Sequence, residues 1–241
     1  MAQFVLARTK AQMFKTMEEY YNSIRVNIQF SGSSFKVITV TSVQPSEGKS
    51  TTSANLALSF AQAGYRTLLI DADIRNSVMT GTFKADNAYH GLTSYLSGHV
   101  GLADIISQTS VENLHIVPAG QVSPNPTTLL QNALFSSMID QVSNIYDFVI
   151  IDTPPIGLVV DAAVIAQRSD ASLLVTEFGA VSRKFVKKAV EHMQQSGVPF
   201  LGVILNKVDT KKDNYGSYGS YGDYGKQKEQ AAKHAKKASK K

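Results

Sequence analysis

The 241-residue sequence contains no cysteine. Disulfide bonds and thiolate metal sites are therefore excluded, and the composition suits a reducing cytosol. No apolar run approaches the roughly 18 residues of a membrane-spanning helix, so the sequence predicts no transmembrane segment. The opening stretch, MAQFVLARTKAQMF, lacks the long apolar region and the small-residue cleavage site of a secretory signal, and we expect no signal peptide.

A net positive charge is absent outside the C-terminus, although the whole chain has a formal net charge of +5. Residues 226–241 contain seven lysines and one glutamate, a net charge of +6, which leaves −1 for residues 1–225. The basic character therefore belongs to the end of the chain, and no basic groove is expected on the folded part. This distribution argues against nucleic acid as a partner.

Apolar runs of strand length alternate with helical patterns from about residue 35 to 209. Nearly continuous apolar runs are typical of parallel strands that helices cover on both faces. The alternation predicts an α/β fold with a doubly wound, mostly parallel sheet, in which ligands bind beyond the carboxyl ends of the strands. We expect strands at 35–41, 66–73, 114–120, 147–153, 171–177 and 200–206, and helices at 49–63, 127–143, 158–168 and 180–196.

Two segments flank this predicted domain of residues 35–209. Residues 1–34 form an N-terminal helical segment, expected to pack on the core or to self-associate, because apolar residues recur at three- and four-residue steps between 10 and 30. Residues 210–241 lack apolar periodicity and are expected to form a flexible tail. That tail contains a tyrosine cluster at 215–224 and a lysine-rich end at 226–241.

A phosphate-binding loop follows the first predicted strand, in the stretch SVQPSEGKST. Its backbone amides and the N-terminus of the next helix suit phosphate oxygens. Lys49 is expected to reach the β- and γ-phosphates of a nucleotide, and the Ser50 hydroxyl to ligate Mg²⁺. The strict pattern requires glycine at position 43, where this chain has Val43. We predict nucleotide contacts from Pro45, Ser46, Glu47, Gly48, Lys49, Ser50 and Thr51.

Aspartates end two further predicted strands. Asp71 and Asp73, in LLIDADIR, are two residues apart and share one face of an extended chain, where their charges repel unless a cation or a base role offsets them. Asp152 ends FVIID, a pattern typical of the Mg²⁺-side partner of a phosphate-binding loop, and would hold the ion through water. The alternative for Asp71 and Asp73 is a pair of solvated loop acids, and the alternative for Asp152 is an ordinary strand end.

The last predicted strand leads into NKVD at 206–209. In GTPases an NKxD sequence recognises the guanine base, but the same residues could equally be a strand end followed by a turn. We therefore expect Asn206 near the nucleotide base, without guanine selectivity.

Four tyrosines, each followed by glycine, lie three residues apart near the C-terminus: Tyr215, Tyr218, Tyr221 and Tyr224. Because glycine and serine between them disfavour helix and sheet, each ring can enter an active site in extended form. An aromatic low-complexity spacer is the alternative.

The loop SVQPSEGKST, DADIR, IIDTPP and the tyrosine cluster occur together in this chain. In that combination the sequence resembles the bacterial tyrosine kinases (BY-kinases), specifically the single-chain cytoplasmic kinases of capsular or exopolysaccharide operons, from about residue 15 to 225. The resemblance implies a P-loop NTPase of the deviant Walker A (MinD/ParA-like) type that uses ATP and Mg²⁺ to autophosphorylate its C-terminal tyrosines. PAGQVSPNPTTLL also resembles a family segment, but its residues indicate no chemistry.

The resemblance also implies a role for each matching residue. Lys49, Asp71 and Asp73 are the catalytic residues, with Asp71 accepting the phenolic proton late in the transfer. Asp73 serves Mg²⁺ together with Ser50, and Asp152 completes the metal site.

Partners follow from the same resemblance. It implies a membrane adaptor of the polysaccharide co-polymerase type that activates the kinase and a phosphotyrosine phosphatase that resets it. The chain would be cytoplasmic and peripheral at the inner face of the membrane through that adaptor. Homo-oligomers are implied by the family's E-x-x-R-x-x-R pattern, in which Glu19 and Arg25 match but Asn22 replaces the first arginine. A solvated helix face is the alternative.

Three other functions compete with a kinase. A MinD/ParA-like ATPase switch would have a second lysine five positions before Lys49, where this chain has Gln44. A regulatory GTPase is suggested by NKVD, but DTPP lacks the glycine with which such switches sense the γ-phosphate. A non-catalytic scaffold would bind nucleotide only structurally.

Overall fold

A single nine-stranded sheet organises the part of the chain that the computed structural model describes, residues 2–32 and 35–209. The strands are β1 (Gln3–Leu6), β2 (Val37–Ser42), β3 (Thr67–Asp71), β4 (Phe83–Ala85), β5 (Ser107–Thr109), β6 (Leu114–Val117), β7 (Phe148–Asp152), β8 (Ala171–Glu177) and β9 (Phe200–Asn206). The helices are α1 (Arg8–Ser31), α2 (Lys49–Gln62), α3 (Leu92–Leu96), α4 (Leu102–Ile105), α5 (Pro126–Leu130), α6 (Ala133–Ile145), α7 (Asp161–Ala166) and α8 (Arg183–Gln194).

The strand order is β4-β1-β5-β6-β3-β7-β2-β8-β9, and the six strands from β6 to β9 in that order are parallel. These six are the strands that the apolar runs predict, and the doubly wound, mostly parallel sheet is confirmed. Side chains of β3 alternate between two apolar clusters, with Leu69 in one and Leu68 and Ile70 in the other. Both faces are therefore covered, which explains why these strands read as continuous apolar runs.

The far edge of the sheet was not predicted. There β1 pairs antiparallel with β4 and parallel with β5, and β5 pairs antiparallel with β6. These strands have only three or four residues each, too few for an alternating pattern to stand out.

The single helix predicted at 127–143 is wrong, because the structure has two helices, α5 and α6, in that stretch. Asn132 begins the second one, and its side-chain oxygen accepts a hydrogen bond from the Phe135 amide at 3.1 Å. An asparagine at the N-cap satisfies an otherwise unpaired helix amide, so the chain restarts a helix there. Apolar periodicity alone passes over such a break.

Helix α1 packs against α2. Phe14, Tyr21 and Ile28 are its buried residues. On the same side, the Arg25 Nε donates to the Ser59 hydroxyl at 3.2 Å, and that hydroxyl donates to the Asn22 side-chain oxygen at 2.8 Å. The position at which this chain departs from the family pattern therefore forms part of an intrachain contact.

Contacts group residues 1–206 into one compact unit, and a second unit begins at 207. The predicted tail from residue 210 onward lies outside the described residues. In the described part of the chain, none of the helices combines the length and the apolar character needed to cross a membrane.

Candidate active site

The predicted site residues meet at the carboxyl ends of β2, β3 and β7. In the sheet register Asp71 pairs with Asp152, and Val40 of β2 also pairs with Asp152. The loop between β2 and α2 passes over this point, and α2 begins at Lys49. Parallel strands end at one edge of the sheet, so residues far apart in sequence form one cluster there.

Backbone geometry shapes the phosphate-binding loop. Ser46 and Gly48 both have positive φ, 66° and 91°, and such left-handed residues turn successive amides toward one concavity. Glu47 is buried, and its carboxylate accepts from the Gln44 amide at 2.7 Å and from the Thr176 hydroxyl at 2.7 Å. The carboxylate thus ties the loop to the end of β8. The predicted nucleotide contact of Glu47 would therefore use its backbone.

Asn206 lies against this loop. Its side-chain amide donates to the Glu47 carbonyl at 2.8 Å. A role near the nucleotide base stays a prediction, whereas the contact with the loop is a bracing role that the sequence did not indicate.

Val43 stands where the strict pattern has glycine. Its side chain is buried with Ile156, and its carbonyl oxygen lies 2.1 Å from where a Cβ on Gly157 would be, so the backbones at 43 and 157 pack closely.

Gly48→Ala is expected to impair nucleotide binding severely. An added Cβ would lie 2.0 Å from the Asn206 side-chain nitrogen, and the positive φ would be strained. Gly64→Ala is the matched control, because Gly64 has a φ of 89° but no atom within 4 Å of the added carbon. Titration of both variants with a fluorescent ATP analogue should show at least about tenfold weaker binding for the Gly48 variant only. Equal affinities would contradict this packing.

Lys49 lies at the centre of the acidic cluster. Its ammonium is 3.3 Å from an Asp73 oxygen, 3.2 Å from an Asp152 oxygen and 3.1 Å from the Ser50 hydroxyl. Ser53, one turn along α2, donates to Asp152 at 2.9 Å. All these contacts are buried or partly buried, so the charges act on one another with little screening by water.

These surroundings shift the pKa values of the cluster. Burial, followed by the charge of Asp152, raises the pKa of Asp71 to about 7, and the Ser77 hydrogen bond and the charge of Lys49 oppose this shift. Burial also raises the pKa of Asp73 above its ordinary value, against the pull of Lys49. For Lys49, burial favours the neutral amine, but the three carboxylates outweigh it and raise the pKa above 10.5. Lys49 is therefore positively charged at neutral pH.

The turn after β3 holds Asp71 and Asp73 in fixed orientations. The Ser77 hydroxyl donates to one oxygen of Asp71, and the Asp73 amide donates to the other at 3.2 Å. The Asn76 amide donates to Asp73 at 3.1 Å. A carboxylate with a raised pKa and a defined orientation is suited to accept a proton near neutral pH. The sequence did not predict a role for Ser77. The only signal that could have indicated one is its position two residues after DADIR.

Beside this turn is an ion pair that was also not predicted. Arg75 binds Asp161, the first residue of α7, with 2.6 Å between Nε and a carboxylate oxygen. Asp161 is fully buried. The Thr127 hydroxyl donates to the same carboxylate at 2.7 Å.

Sequence and structure comparisons agree on the type of protein that carries this site. A family model described as "AAA domain" matches residues 35–196. The tyrosine-protein kinase CpsD of Streptococcus agalactiae serotype III (strain NEM316) is 58% identical over 216 residues, which cover 90% of this chain and 93% of that protein. The chain belongs to the bacterial tyrosine kinases of the CpsD type. As a tyrosine-protein kinase with a phosphate-binding loop, it uses ATP.

Solved structures place this tyrosine kinase on the same fold. The kinase domain of the Escherichia coli tyrosine kinase ETK superposes with a TM-score of 0.76 at 34% identity, covering 79% of this chain and 75% of that one. The septum site-determining protein MinD of Pyrococcus horikoshii, complexed with Mg-ADP, gives a TM-score of 0.61 at 26% identity, covering 70% and 69%. The deviant Walker A fold is thus confirmed, and the higher identity to kinases favours the kinase over the switch.

Of the predicted site residues, the structure brings Lys49, Ser50, Asp71, Asp73 and Asp152 together. Glu19 and Arg25 lie on α1, where Glu19 is exposed and Arg25 also donates to Gln29 at 3.0 Å. Their role in self-assembly stays a prediction. The tyrosines predicted as acceptors, Tyr215, Tyr218, Tyr221 and Tyr224, lie outside the described residues.

Proposed function

We propose that this kinase transfers the γ-phosphoryl group of ATP to the hydroxyls of its own Tyr215, Tyr218, Tyr221 and Tyr224. The observation that carries the proposal is the buried cluster of Lys49 with three aspartates beside a phosphate-binding loop. A kinase of this family needs an acceptor phenol, and the tyrosine cluster near its C-terminus offers four.

The cluster has the donor set that Mg²⁺ prefers. The Ser50 hydroxyl and the Asp73 carboxylate supply oxygens, and hard divalent cations bind oxygen ligands together with substrate phosphates and water. Asp152, which accepts from Lys49 and Ser53, would act on the ion through water, because Mg²⁺ keeps several of its waters in protein sites. When bound, the ion would neutralise charge on the phosphates. Such a site needs only one or two carboxylate ligands, because the substrate phosphates and water supply the other oxygens.

The chain's own residues would supply the rest of the chemistry. The loop amides and Lys49 would hold the phosphate oxygens and stabilise the charge that develops on them during transfer. The Asp71 carboxylate would take the phenolic proton as the new bond to phosphorus forms. A phenol has a pKa of about 10 and is a weak nucleophile at neutral pH, so a positioned base is required.

Mass spectrometry of the C-terminal peptide tests this function. Protein freshly stripped of phosphate should gain up to four phosphates on that peptide when ATP and Mg²⁺ are added, and none when EDTA is present. A variant with all four tyrosines replaced by phenylalanine should gain no phosphate there but still label an added acceptor polypeptide. Hydrolysis of ATP without any labelled protein would refute the proposal and favour a switch.

We also infer partners and a location, which the family suggests. An activating membrane adaptor of the polysaccharide co-polymerase type would bring the kinase to the inner face of the membrane. A phosphotyrosine phosphatase would reverse the modification, and homo-oligomers would allow transfer between copies. Through these partners the tyrosine cluster would regulate capsular or exopolysaccharide synthesis and export. The supporting feature is the tail itself, since each phosphotyrosine adds about −1.5 to −2 charges that a partner can read.

A further inference from the structure

Two family-like stretches have no role in the proposed function. Arg75 ends DADIR but provides neither a base nor a metal ligand. Thr127 lies in PNPTTLL, a stretch whose residues suggested no chemistry. In the fold these two side chains meet at one buried carboxylate, Asp161.

The three side chains form a closed hydrogen-bonded set, here called the Arg75 clamp. Arg75 grips Asp161 with two nitrogens, Nε at 2.6 Å from one carboxylate oxygen and Nη2 at 3.3 Å from the other. The Thr127 hydroxyl donates to Asp161 at 2.7 Å and accepts from Arg75 Nη2 at 2.8 Å. Every member contacts the other two, so the guanidinium is fixed in position and plane.

The clamp joins elements that carry the proposed catalytic residues. Arg75 lies two residues after Asp73, on the turn that also orients Asp71. Asp161 begins α7, the helix reached by the loop that leaves β7 at Asp152. Thr127 is in the first turn of α5. The segments that follow β3 and β7 are therefore connected twice: through the contacts of Asp73 and Asp152 with Lys49, and through the Arg75 clamp outside that cluster.

Phosphoryl transfer depends on such fastening. It requires in-line geometry of acceptor, phosphorus and leaving oxygen, and a displacement of about 1 Å far from the chemistry can cost roughly 100-fold in rate. A bidentate arginine is the device suited to fix an angle as well as a distance, because its fork is planar and rigid. Lysine offers the same charge without the fork.

We infer that Arg75, Thr127 and Asp161 are positioning residues for phosphoryl transfer, which hold the Asp71–Asp73 turn in register with Asp152. This inference rests on the proposed roles of those three aspartates. The clamp acts mainly on turnover, because among the described residues it has no hydrogen bond or ion pair with the phosphate-binding loop or Lys49, and of the proposed MgATP contacts it holds only Asp73.

Thr127 provides the sharper test, since Thr127→Val removes one hydroxyl and leaves the ion pair. The expected result is a fall in kcat of about tenfold with KM for MgATP changed less than about twofold. Thr127→Ser restores the hydroxyl and should recover most of the kcat. Thr128→Val is the matched control: Thr128 is the exposed neighbour on the same helix and should leave both constants unchanged.

Substitutions of Arg75 distinguish the effect of its charge from the effect of its bidentate geometry. Arg75→Lys keeps the charge beside Asp161 and should fold, yet its kcat should fall about as far as that of Arg75→Gln. Arg66→Gln is the control, because Arg66 forms an exposed pair with Asp147 at 3.8 Å and lies before the amino end of β3. All rates are measured at a temperature where each variant is folded by circular dichroism.

The outcomes distinguish this inference from the proposed function. The inference is overturned if Thr127→Val and Arg75→Lys match wild type in kcat, or if Thr127→Ser fails to recover what Thr127→Val loses. A loss that appears only in KM for MgATP also overturns it. The proposed function fails separately, if wild-type protein itself leaves its C-terminal tyrosines unmodified.

Discussion

Replacing Lys49 with methionine is expected to slow phosphoryl transfer by at least about 100-fold, since removal of a single preorganised charge donor has effects of about 10²–10³ in other enzymes. The ammonium lies 3.2 Å from Asp152 and 3.3 Å from Asp73, and it is the cation of the cluster at neutral pH. Without it the charge on the transferring phosphate loses its main protein partner. Incorporation of radiolabel from ATP into the protein measures the effect.

The same substitution leaves buried carboxylates without their cation, which itself destabilises a fold. Thermal unfolding of Lys49→Met must therefore be recorded next to its activity, and the rate taken where the variant is folded. Lys36→Met is the matched control, because the Lys36 side chain is hydrogen bonded to the Ser143 carbonyl at 3.5 Å, before the amino end of β2. A folded Lys49→Met protein that labels itself at the wild-type rate would remove Lys49 from the mechanism.

Asp71→Asn is expected to lower the rate by about 10²–10⁴-fold, the usual worth of a general base. The amide keeps the size of the carboxyl group, and its one oxygen can still accept from Ser77. It loses the hydrogen bond from the Asp73 amide, and it cannot take a proton from the acceptor phenol. Binding of MgATP should change little, since Asp71 has no assigned contact with the nucleotide. Single-turnover labelling, combined with a nucleotide titration, measures the two effects separately.

The pH profile gives this prediction a second readout. Because burial raises the pKa of Asp71 to about 7, the group is protonated and inactive as a base below that pH. Wild-type kcat/KM, which reports the pKa of the free enzyme, should therefore fall roughly tenfold per pH unit below about pH 7 and level off above it, and Asp71→Asn should lose that limb. The Ser77 hydrogen bond lowers the pKa of Asp71, so Ser77→Ala should shift the limb to higher pH. A limb that stays at the same pH in Asp71→Asn would assign it to another group.

The clustering of Lys49, Ser50, Asp71, Asp73 and Asp152 could be predicted, because each of them lies in a short motif at the end of an apolar strand. The loop from Pro45 to Thr51 and the aspartates at 71, 73 and 152 each follow an apolar strand, and parallel strands bring their ends to one edge. The pattern that identifies them needs no knowledge of packing. The same reasoning gave all six parallel strands.

What escaped prediction is set by contacts between distant segments. Glu47 looks like one more loop residue, and only the fold reveals that its carboxylate braces the loop against Thr176. Asp161 does not directly follow a strand and belongs to no recognised motif, so nothing in the sequence indicates that it pairs with Arg75. Buried polar groups require partners, but the sequence alone does not specify which partners they find.

The strand order also has a consequence for synthesis on the ribosome. β2, which leads into the phosphate-binding loop, pairs with residues 149–152 and 171–175, and β1 pairs with residues 83–85 and 108–109. β1 waits for residues 83–85, and β2 has no neighbour until residues 149–152, beyond the midpoint of the 241-residue chain, have been made. Nascent fragments that stop before about residue 175 cannot complete the central sheet, so competence to bind ATP arrives late in translation.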